Sequence, residues 1–96
     1  MKFSQLLIIE DNPGDADLIE ELLEDEKDDY IIWKAETLSS AIDLINKQQF
    51  DVIILDLNLP DSNGIDTLRK IRQENSDSVI IVTTGLSDLE TGVEAV

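Results

Sequence analysis

The sequence predicts a single α/β domain with a doubly wound parallel sheet, meaning an open sheet covered by helices on both faces. Two observations lead to this fold class. Short segments rich in β-branched residues alternate along the 96 residues with segments whose apolar residues recur at helical spacing. Three of the short segments are continuous apolar runs, which are typical of parallel strands buried on both faces. Such alternation indicates βαβ units with right-handed crossovers.

Four segments are expected to form the strands of this sheet. The apolar runs are "LLIIE" at residues 6–10, "VIILD" at residues 52–56 and "VIIVT" at residues 79–83. The other segment, "YIIWKA" at residues 30–35, contains a lysine and suits an edge strand. The second strand along the chain is therefore expected at an edge of the sheet.

Two helices are predicted between the first three strands. In "NPGDADLIEELLED", Asn12 is the expected N-cap, Pro13 takes the first helical position, and acidic residues occupy the first turns, where the helix dipole favours them. In "TLSSAIDLINKQQ", Thr37 is the expected N-cap. The residues expected to face the core are Ala16, Ile19, Leu22 and Leu23 in the first helix, and Leu38, Ala41, Leu44 and Ile45 in the second.

A third helix is predicted in "NGIDTLRKIRQEN", where Ile65, Leu68 and Ile71 recur three residues apart. The turn before it contains Pro60, which fixes φ, and Gly64, which permits close approach of the backbone. The third helix has three candidate N-caps among the turn residues, namely Asp61, Ser62 and Asn63. A fourth helical pattern, "SDLETGVEAV" at residues 87–96, begins just before the sequence ends.

Composition excludes several classes of function. The net charge is −15, and half of the 22 acidic residues lie between positions 10 and 29, so we expect no direct binding of nucleic acid or anionic membranes. The sequence has no cysteine and no histidine, which excludes disulfides, thiolate nucleophiles and the commonest zinc ligands. No apolar run approaches the roughly 20 residues of a membrane span, and the start does not resemble a secretory signal, so a cytoplasmic location is expected.

Acidic residues end two of the predicted strands. Glu10 and Asp11 follow the first apolar run, and Asp56 ends the third strand. The carboxyl ends of neighbouring parallel strands meet at one edge of a sheet, where three carboxylates would repel one another. Mg²⁺ would relieve this repulsion, and the absence of histidine and cysteine favours such a hard cation over zinc or copper. Any one of these acids alone would more simply be a helix cap or a solvated loop residue.

The motifs "IIEDN", "DVIILDLNLPDSNG" and "IIVTTG", together with the β/α order, resemble the response-regulator receiver domain of two-component signalling. The resemblance runs over essentially the whole chain, residues 1–96. It implies a flavodoxin-like sheet with strand order 2-1-3-4. It also implies a phosphorelay signalling domain rather than an enzyme, with at most self-catalysed uptake and loss of a phosphoryl group. The implied partner is a sensor histidine kinase or a phosphotransfer protein.

The same resemblance implies roles for individual residues. Asp56 would be the phosphoacceptor, and the hydroxyl of Thr84 would contact the phosphoryl oxygens. Glu10, Asp11 and Asp56, with the backbone carbonyl of Asn58, would hold Mg²⁺. In this family the first acidic position is commonly Asp, and Glu10 is an accepted variant that should shift the metal slightly.

The sequence departs from the family pattern after the fourth strand. Family members normally continue for a fifth strand and helix, and that strand ends in a lysine that pairs with the phosphoryl group. Lys2, Lys34 and Lys70 do not match its position. We therefore expect a domain that is incomplete at its C-terminus, in which self-catalysed phosphorylation is impaired. The fourth strand would be an exposed apolar edge that could pair with a second copy as a homodimer.

Three alternatives were compared with this interpretation. A degenerate receiver-like interaction module would keep the fold without phosphorylation, and the sequence leaves this alternative open. A phosphatase of the haloacid-dehalogenase-like class needs a second acid two residues after the nucleophile, where this chain has Asn58. A calcium loop beginning at Asp11 would place Pro13 and Leu22 at ligand positions, which excludes it.

Overall fold

A computed structural model describes residues 4–23, 30–75 and 77–83 and contains a four-stranded parallel sheet and a short two-stranded sheet. The strands of the main sheet are β1 (Ser4–Ile9), β2 (Tyr30–Ala35), β3 (Val52–Asp56) and β6 (Val79–Thr83). Their spatial order is β2-β1-β3-β6. Since β6 is the fourth strand of this sheet along the chain, the predicted order 2-1-3-4 and the α/β fold class are confirmed. Two short strands, β4 (Asn58–Leu59) and β5 (Ser62–Asn63), form an antiparallel hairpin after β3 that was not predicted.

Three helices are described: α1 (Pro13–Leu22), α2 (Leu38–Lys47) and α3 (Ile65–Glu74). The predicted N-cap of α1 is confirmed, because Oδ1 of Asn12 accepts hydrogen bonds from the amides of Gly14 at 2.9 Å and Asp15 at 3.1 Å. Thr37 is confirmed as the N-cap of α2. It forms a capping box with Ser40, in which each side chain accepts a hydrogen bond from the other residue's amide. The fourth helical pattern lies outside the described residues.

The predicted caps of α3 are wrong. Gly64 holds the N-cap position with φ of 74°, and none of the described side chains caps the helix. The carboxylate of Asp61 instead accepts hydrogen bonds at the start of α2. The expected close backbone approach at Gly64 is also wrong, because a Cβ added there would meet no atom of residues 4–23, 30–75 and 77–83 within 4 Å. The glycine is required for its positive φ, which other residues adopt only at a cost.

Two apolar clusters pack on the two faces of the sheet. Leu7, Ile9, Ile53 and Leu55 point to the face covered by α2 and α3, and the alternate residues of β1 and β3 point to the face covered by α1. Burial of β1 and β3 on both faces explains their continuous apolar sequences. The remaining residues expected in the core of α1 and α2 are buried or partly buried: Ala16, Ile19, Leu23, Leu38, Ala41, Leu44 and Ile45.

Two residues expected in the core are exposed. Leu22, the last residue of α1, is 74% exposed, and Ile65, the first residue of α3, is 55% exposed. Both lie at helix ends, where the apolar spacing continues beyond the part of the helix that contacts the sheet. In α3 the fully buried positions are Thr67 and Ile71. The prediction for these end positions was wrong because spacing alone does not show where contact with the sheet stops.

Two strands form the edges of the described sheet. β2 lies at one edge, as predicted, and its Lys34 pairs with Glu20 of α1. β6 lies at the other edge of the part of the sheet that is described, and Val79 and Ile81 are exposed there. None of the helices among the described residues is long and apolar enough to cross a membrane.

Candidate metal and phosphoacceptor site

The parallel pairing of β1 with β3 brings the strand-end acids together. Ile9 lies opposite Leu55 in this pairing, so Glu10 and Asp56 are the next residues on neighbouring strands. One carboxylate oxygen from each of Glu10, Asp11 and Asp56 lies within 4.8 Å of the other two. The expectation that the carboxyl ends of these strands collect three acids at one edge of the sheet therefore agrees with the described geometry.

The three acids differ in burial and in hydrogen bonding. Glu10 and Asp56 are each 3% exposed, whereas Asp11 is exposed. Oδ1 of Asp56 accepts a hydrogen bond from the amide of Asn58 at 3.0 Å, and Oε2 of Glu10 accepts one from the amide of Asn12 at 3.3 Å. Oε1 of Glu10 is buried and has no hydrogen-bond partner in the part of the chain that the structure describes. An unpaired buried oxygen is costly, and a bound cation would satisfy it.

The electrostatics of the site explain an altered pKa. Burial, followed by the nearby carboxyl group of Asp56 and its negative charge, raises the pKa of Glu10 from its ordinary value of 4.5 to about 8. Near neutral pH, Glu10 therefore keeps its proton unless a cation neutralises the site. A glutamate side chain binds a metal ion in its ionised form, so a dication would displace this proton. An oxygen-only donor set with an unpaired buried oxygen fits Mg²⁺.

The other predicted site residues have different outcomes. Asn58 is exposed and its amide contacts Asp56, but the metal-binding role of its carbonyl stays a prediction. Thr84 lies outside the described residues. Thr83 donates a hydrogen bond from Oγ1 to the carbonyl of Leu55 at 3.5 Å, along the sheet. Lys34 lies between Glu20 and Asp17, with its Nζ at 2.5 Å and 3.3 Å from their carboxylates.

The loop between Asp56 and α3 contains contacts that sequence reasoning missed. The carbonyl of Leu57 accepts hydrogen bonds from the amide of Gly64 at 2.9 Å and from Oγ1 of the fully buried Thr67 at 3.1 Å. The hydroxyls of Thr67 and Ser62 are 2.8 Å apart. The sequence signal for Thr67 was its spacing: it lies four residues before Ile71, and residues four apart share one face of a helix.

Comparison with known proteins agrees with this geometry. The sequence model of the response regulator receiver domain matches residues 6–96. The cell cycle transcriptional regulator CtrA of Caulobacter vibrioides is 34% identical over 90 residues, which cover 94% of this chain and 38% of that protein. The nitrate/nitrite response regulator protein NarP of Escherichia coli is 36% identical over 91 residues, which cover 95% of this chain and 42% of that protein. The chain thus spans about two-fifths of the length of these relatives.

Solved structures show the same fold. The non-phosphorylated HemR receiver domain from Leptospira biflexa superposes with a TM-score of 0.68 at 32% identity, covering 96% of this chain and 75% of that one. The receiver domain of the sensor histidine kinase PA1611 from Pseudomonas aeruginosa has a TM-score of 0.71 at 25% identity, covering 98% and 80%. That structure has a magnesium ion coordinated in its active site cleft. The matching residues, the sheet order and these relatives together show that the chain belongs to the response regulator receiver domain family.

Proposed function

We propose that this chain is a Mg²⁺-dependent phosphoacceptor switch of a two-component phosphorelay. Asp56 would accept a phosphoryl group from the phosphohistidine of a sensor histidine kinase or a phosphotransfer protein, in the cytoplasm. The observation that carries the proposal is the convergence of Glu10, Asp11 and Asp56 within 4.8 Å at the carboxyl edge of the sheet. The magnesium ion in the PA1611 receiver structure supports the identity of the metal.

Asp56 is the nucleophile in this proposal because it is buried at a strand end and has its orientation fixed. The amide of Asn58 holds Oδ1 at 3.0 Å, so we assign attack on phosphorus to Oδ2. The Oδ2–P bond forms while the P–N bond of the phosphohistidine breaks, and the electron pair of that bond returns to the imidazole. Transfer of this kind requires a positioned nucleophile and neutralised charge, and little covalent work from other residues.

Glu10, Asp11 and the Asn58 carbonyl would hold the metal together with Asp56. Bound Mg²⁺ would neutralise the negative charge that otherwise keeps an anionic phosphoryl donor away from the carboxylates. The hydroxyl of Thr84 is proposed to contact the transferred phosphoryl oxygens. The domain itself is a signalling element, and self-catalysed uptake and loss of phosphate would be its entire chemistry.

The test is treatment of the purified chain with acetyl phosphate and Mg²⁺, followed by measurement of the intact mass. We expect a gain of one phosphoryl group that requires Mg²⁺ and is absent in Asp56→Asn. Asp43→Asn is the matched control, because it makes the same chemical change on the exposed surface of α2. A gain that persists in Asp56→Asn would contradict the assignment. No gain in the wild-type chain would support the alternative, a receiver-like interaction module without phosphorylation.

Homodimer formation through β6 stays a prediction. Val79, Ile81 and Val82 are 60%, 49% and 41% exposed, which is unusual for an apolar strand and favours association with another surface. Sedimentation velocity of the wild-type chain and of Ile81→Lys would test it. A wild-type chain that sediments as a monomer at all concentrations would contradict it.

A further inference from the structure

We infer that Asp61 is a positioning residue for the metal site, which fixes the loop after the phosphoacceptor to the N-terminus of α2. The inference rests on the proposed function, because it requires the acidic cluster to bind Mg²⁺. The side chain of Asp61 is exposed, and its described hydrogen bonds go to α2 and not to Glu10, Asp11 or Asp56. Asp61 would therefore affect the metal through the loop that joins Asp56 to α3.

The carboxylate of Asp61 binds two amides of α2 at once. Oδ1 accepts a hydrogen bond from Leu38 at 2.8 Å, and Oδ2 accepts one from Ser39 at 3.0 Å. These amides belong to the first two residues of a ten-residue helix and have no partner within the helix. The two hydrogen bonds lower the pKa of Asp61, so the side chain is ionised at neutral pH and forms charge-assisted contacts. The contact joins residues that are 23 and 22 positions apart.

α2 already has its own N-terminal cap. Thr37 accepts a hydrogen bond from the amide of Ser40 at 3.1 Å, and Ser40 accepts one from the amide of Thr37 at 3.3 Å. This capping box defines the start of the helix with residues that are local to it. The box satisfies the amides of Thr37 and Ser40 and not those of Leu38 and Ser39, so Asp61 provides acceptors for these two amides from a distant loop.

The loop is fastened at three places, and Asp61 supplies the one at its tip. At the base, the carbonyl of Leu57 accepts hydrogen bonds from Gly64 and Thr67. In the middle, Leu57 and Leu59 are buried in the core. The hairpin pairs Asn58 with Asn63 and places Asp61 in the exposed turn between β4 and β5. Among the described contacts, Asp61 makes the hydrogen bonds that join this turn to α2, so its loss would weaken the connection while the packing of Leu57 and Leu59 remains.

Movement of this hairpin would reach the metal site through Asn58. This residue begins β4, its amide orients Asp56, and its carbonyl is a proposed ligand. Mg²⁺ demands near-ideal octahedral geometry, so a small displacement of one ligand weakens binding. Coupling between two sites is reciprocal, so binding of Mg²⁺ should also change the environment of the first residues of α2.

The test is titration of Mg²⁺ alone, by isothermal titration calorimetry, into the wild-type chain, Asp61→Ala, Asp61→Asn and Ser40→Ala. For Asp61→Ala we expect affinity to fall about fivefold, less than the roughly tenfold to hundredfold loss when a direct partner of a ligand is removed. Asp61→Asn keeps one acceptor oxygen, so its Mg²⁺ affinity should lie between those of the wild-type chain and Asp61→Ala. Ser40→Ala removes an N-terminal contact of α2 that does not involve the loop, so its Mg²⁺ affinity should equal that of the wild-type chain.

A spectroscopic measurement complements the titration. The amide signals of Leu38 and Ser39 should shift when Mg²⁺ is added to the wild-type chain, and these shifts should disappear in Asp61→Ala. Wild-type affinity in both Asp61 variants, or an equal loss in Ser40→Ala, would overturn the inference and leave the metal site intact. A folded wild-type chain that binds no Mg²⁺ would overturn the proposed function together with it. If Asp61→Ala does not fold, Asp61→Asn decides the outcome.

Discussion

The two ends of strand β3 each carry an aspartate, and their surroundings differ. At the amino end, Asp51 is exposed, its Oδ2 accepts a hydrogen bond from the amide of Gln5 at 2.8 Å, and its backbone pairs with both neighbouring strands. At the carboxyl end, Asp56 is buried beside Glu10, whose Oε1 accepts no hydrogen bond from the described residues. The aspartate before the strand is therefore satisfied by the protein itself, whereas the aspartate that ends it lies beside a buried oxygen that none of these residues satisfies.

Acidity by itself does not distinguish the two ends. The amino end also has a cavity of about 370 Å³ whose lining includes Asp51, Glu74 and Asp77. Among the residues for which the structure gives positions, Glu10, Asp11 and Asp56 are the ones that bring three carboxylate oxygens within 4.8 Å. The difference teaches that convergence and burial, more than local charge, mark a cation site in this very acidic chain.

The largest expected effect separates the two ends by metal binding. Glu10→Gln removes a proposed ligand and its charge, and we expect Mg²⁺ affinity to fall by at least about a hundredfold. Asp51→Asn keeps an oxygen that can accept the Gln5 hydrogen bond, and it should bind Mg²⁺ as the wild-type chain does. Isothermal titration calorimetry at pH 8 measures both. Equal losses in the two variants would show that general acidity, and not the cluster, attracts the cation.

The next effect concerns pH. Between the ordinary value of 4.5 and the raised pKa of about 8, the folded chain keeps a proton on Glu10 that the unfolded chain has released. The free energy of unfolding of the metal-free protein should therefore fall as pH rises through this window, by on the order of a few kcal/mol. Urea denaturation at pH 5 and pH 8 should show a smaller fall in Glu10→Gln. Since other carboxylates also titrate, the difference between the two proteins is the measured quantity.

Mg²⁺ should oppose this loss of stability at high pH. Because the cation binds the ionised form of Glu10, the stabilisation by Mg²⁺ should be larger at pH 8 than at pH 6. The same urea series with and without Mg²⁺ measures it. Equal stabilisation at the two pH values would contradict the raised pKa of Glu10.

A smaller effect is expected from two buried hydroxyl groups that donate hydrogen bonds at the two ends of β3. Oγ of Ser78 donates to the carbonyl of Phe50 before β3, and Oγ1 of Thr67 donates to the carbonyl of Leu57 after it. Ser78→Ala and Thr67→Val should each lower the free energy of unfolding by about 1–2 kcal/mol, because each removes a buried hydrogen bond. Thr67→Val alone should also weaken Mg²⁺ binding, since its partner lies in the loop that carries Asn58. Calorimetry and urea denaturation of both variants test this difference.

The sequence predicted the sheet and the acidic cluster because both depend on strong local signals. Apolar runs marked β3 and β6 with their observed bounds, and the carboxyl ends of parallel strands meet at one edge whatever the loops do. The caps were predicted where the capping residue is local, as for Asn12 and Thr37. Asp61 was correctly considered a capping residue but assigned to the wrong helix, because sequence does not show which distant amides a turn residue reaches.

The smallest expected effect is at Gly64, where the loop enters α3. Its φ of 74° and ψ of −161° lie in a region that is essentially restricted to glycine and costs other residues about 1–3 kcal/mol, while a Cβ there would meet no atom of the described residues within 4 Å. Because that space is open, Gly64→Ala should lower the free energy of unfolding by about 1 kcal/mol, the low end of this range, through backbone strain alone. Gly14→Ala is the comparison, because Gly14 has no positive φ but a Cβ there would lie 3.2 Å from Oδ1 of Asn12, which is closer than ordinary contact, so any loss of stability there reports crowding and not backbone strain. Urea denaturation compares the two variants. A Gly64→Ala variant as stable as the wild-type chain would contradict this prediction. It would mean that the backbone at the start of α3 can adopt another φ while the amide of residue 64 still donates to the carbonyl of Leu57.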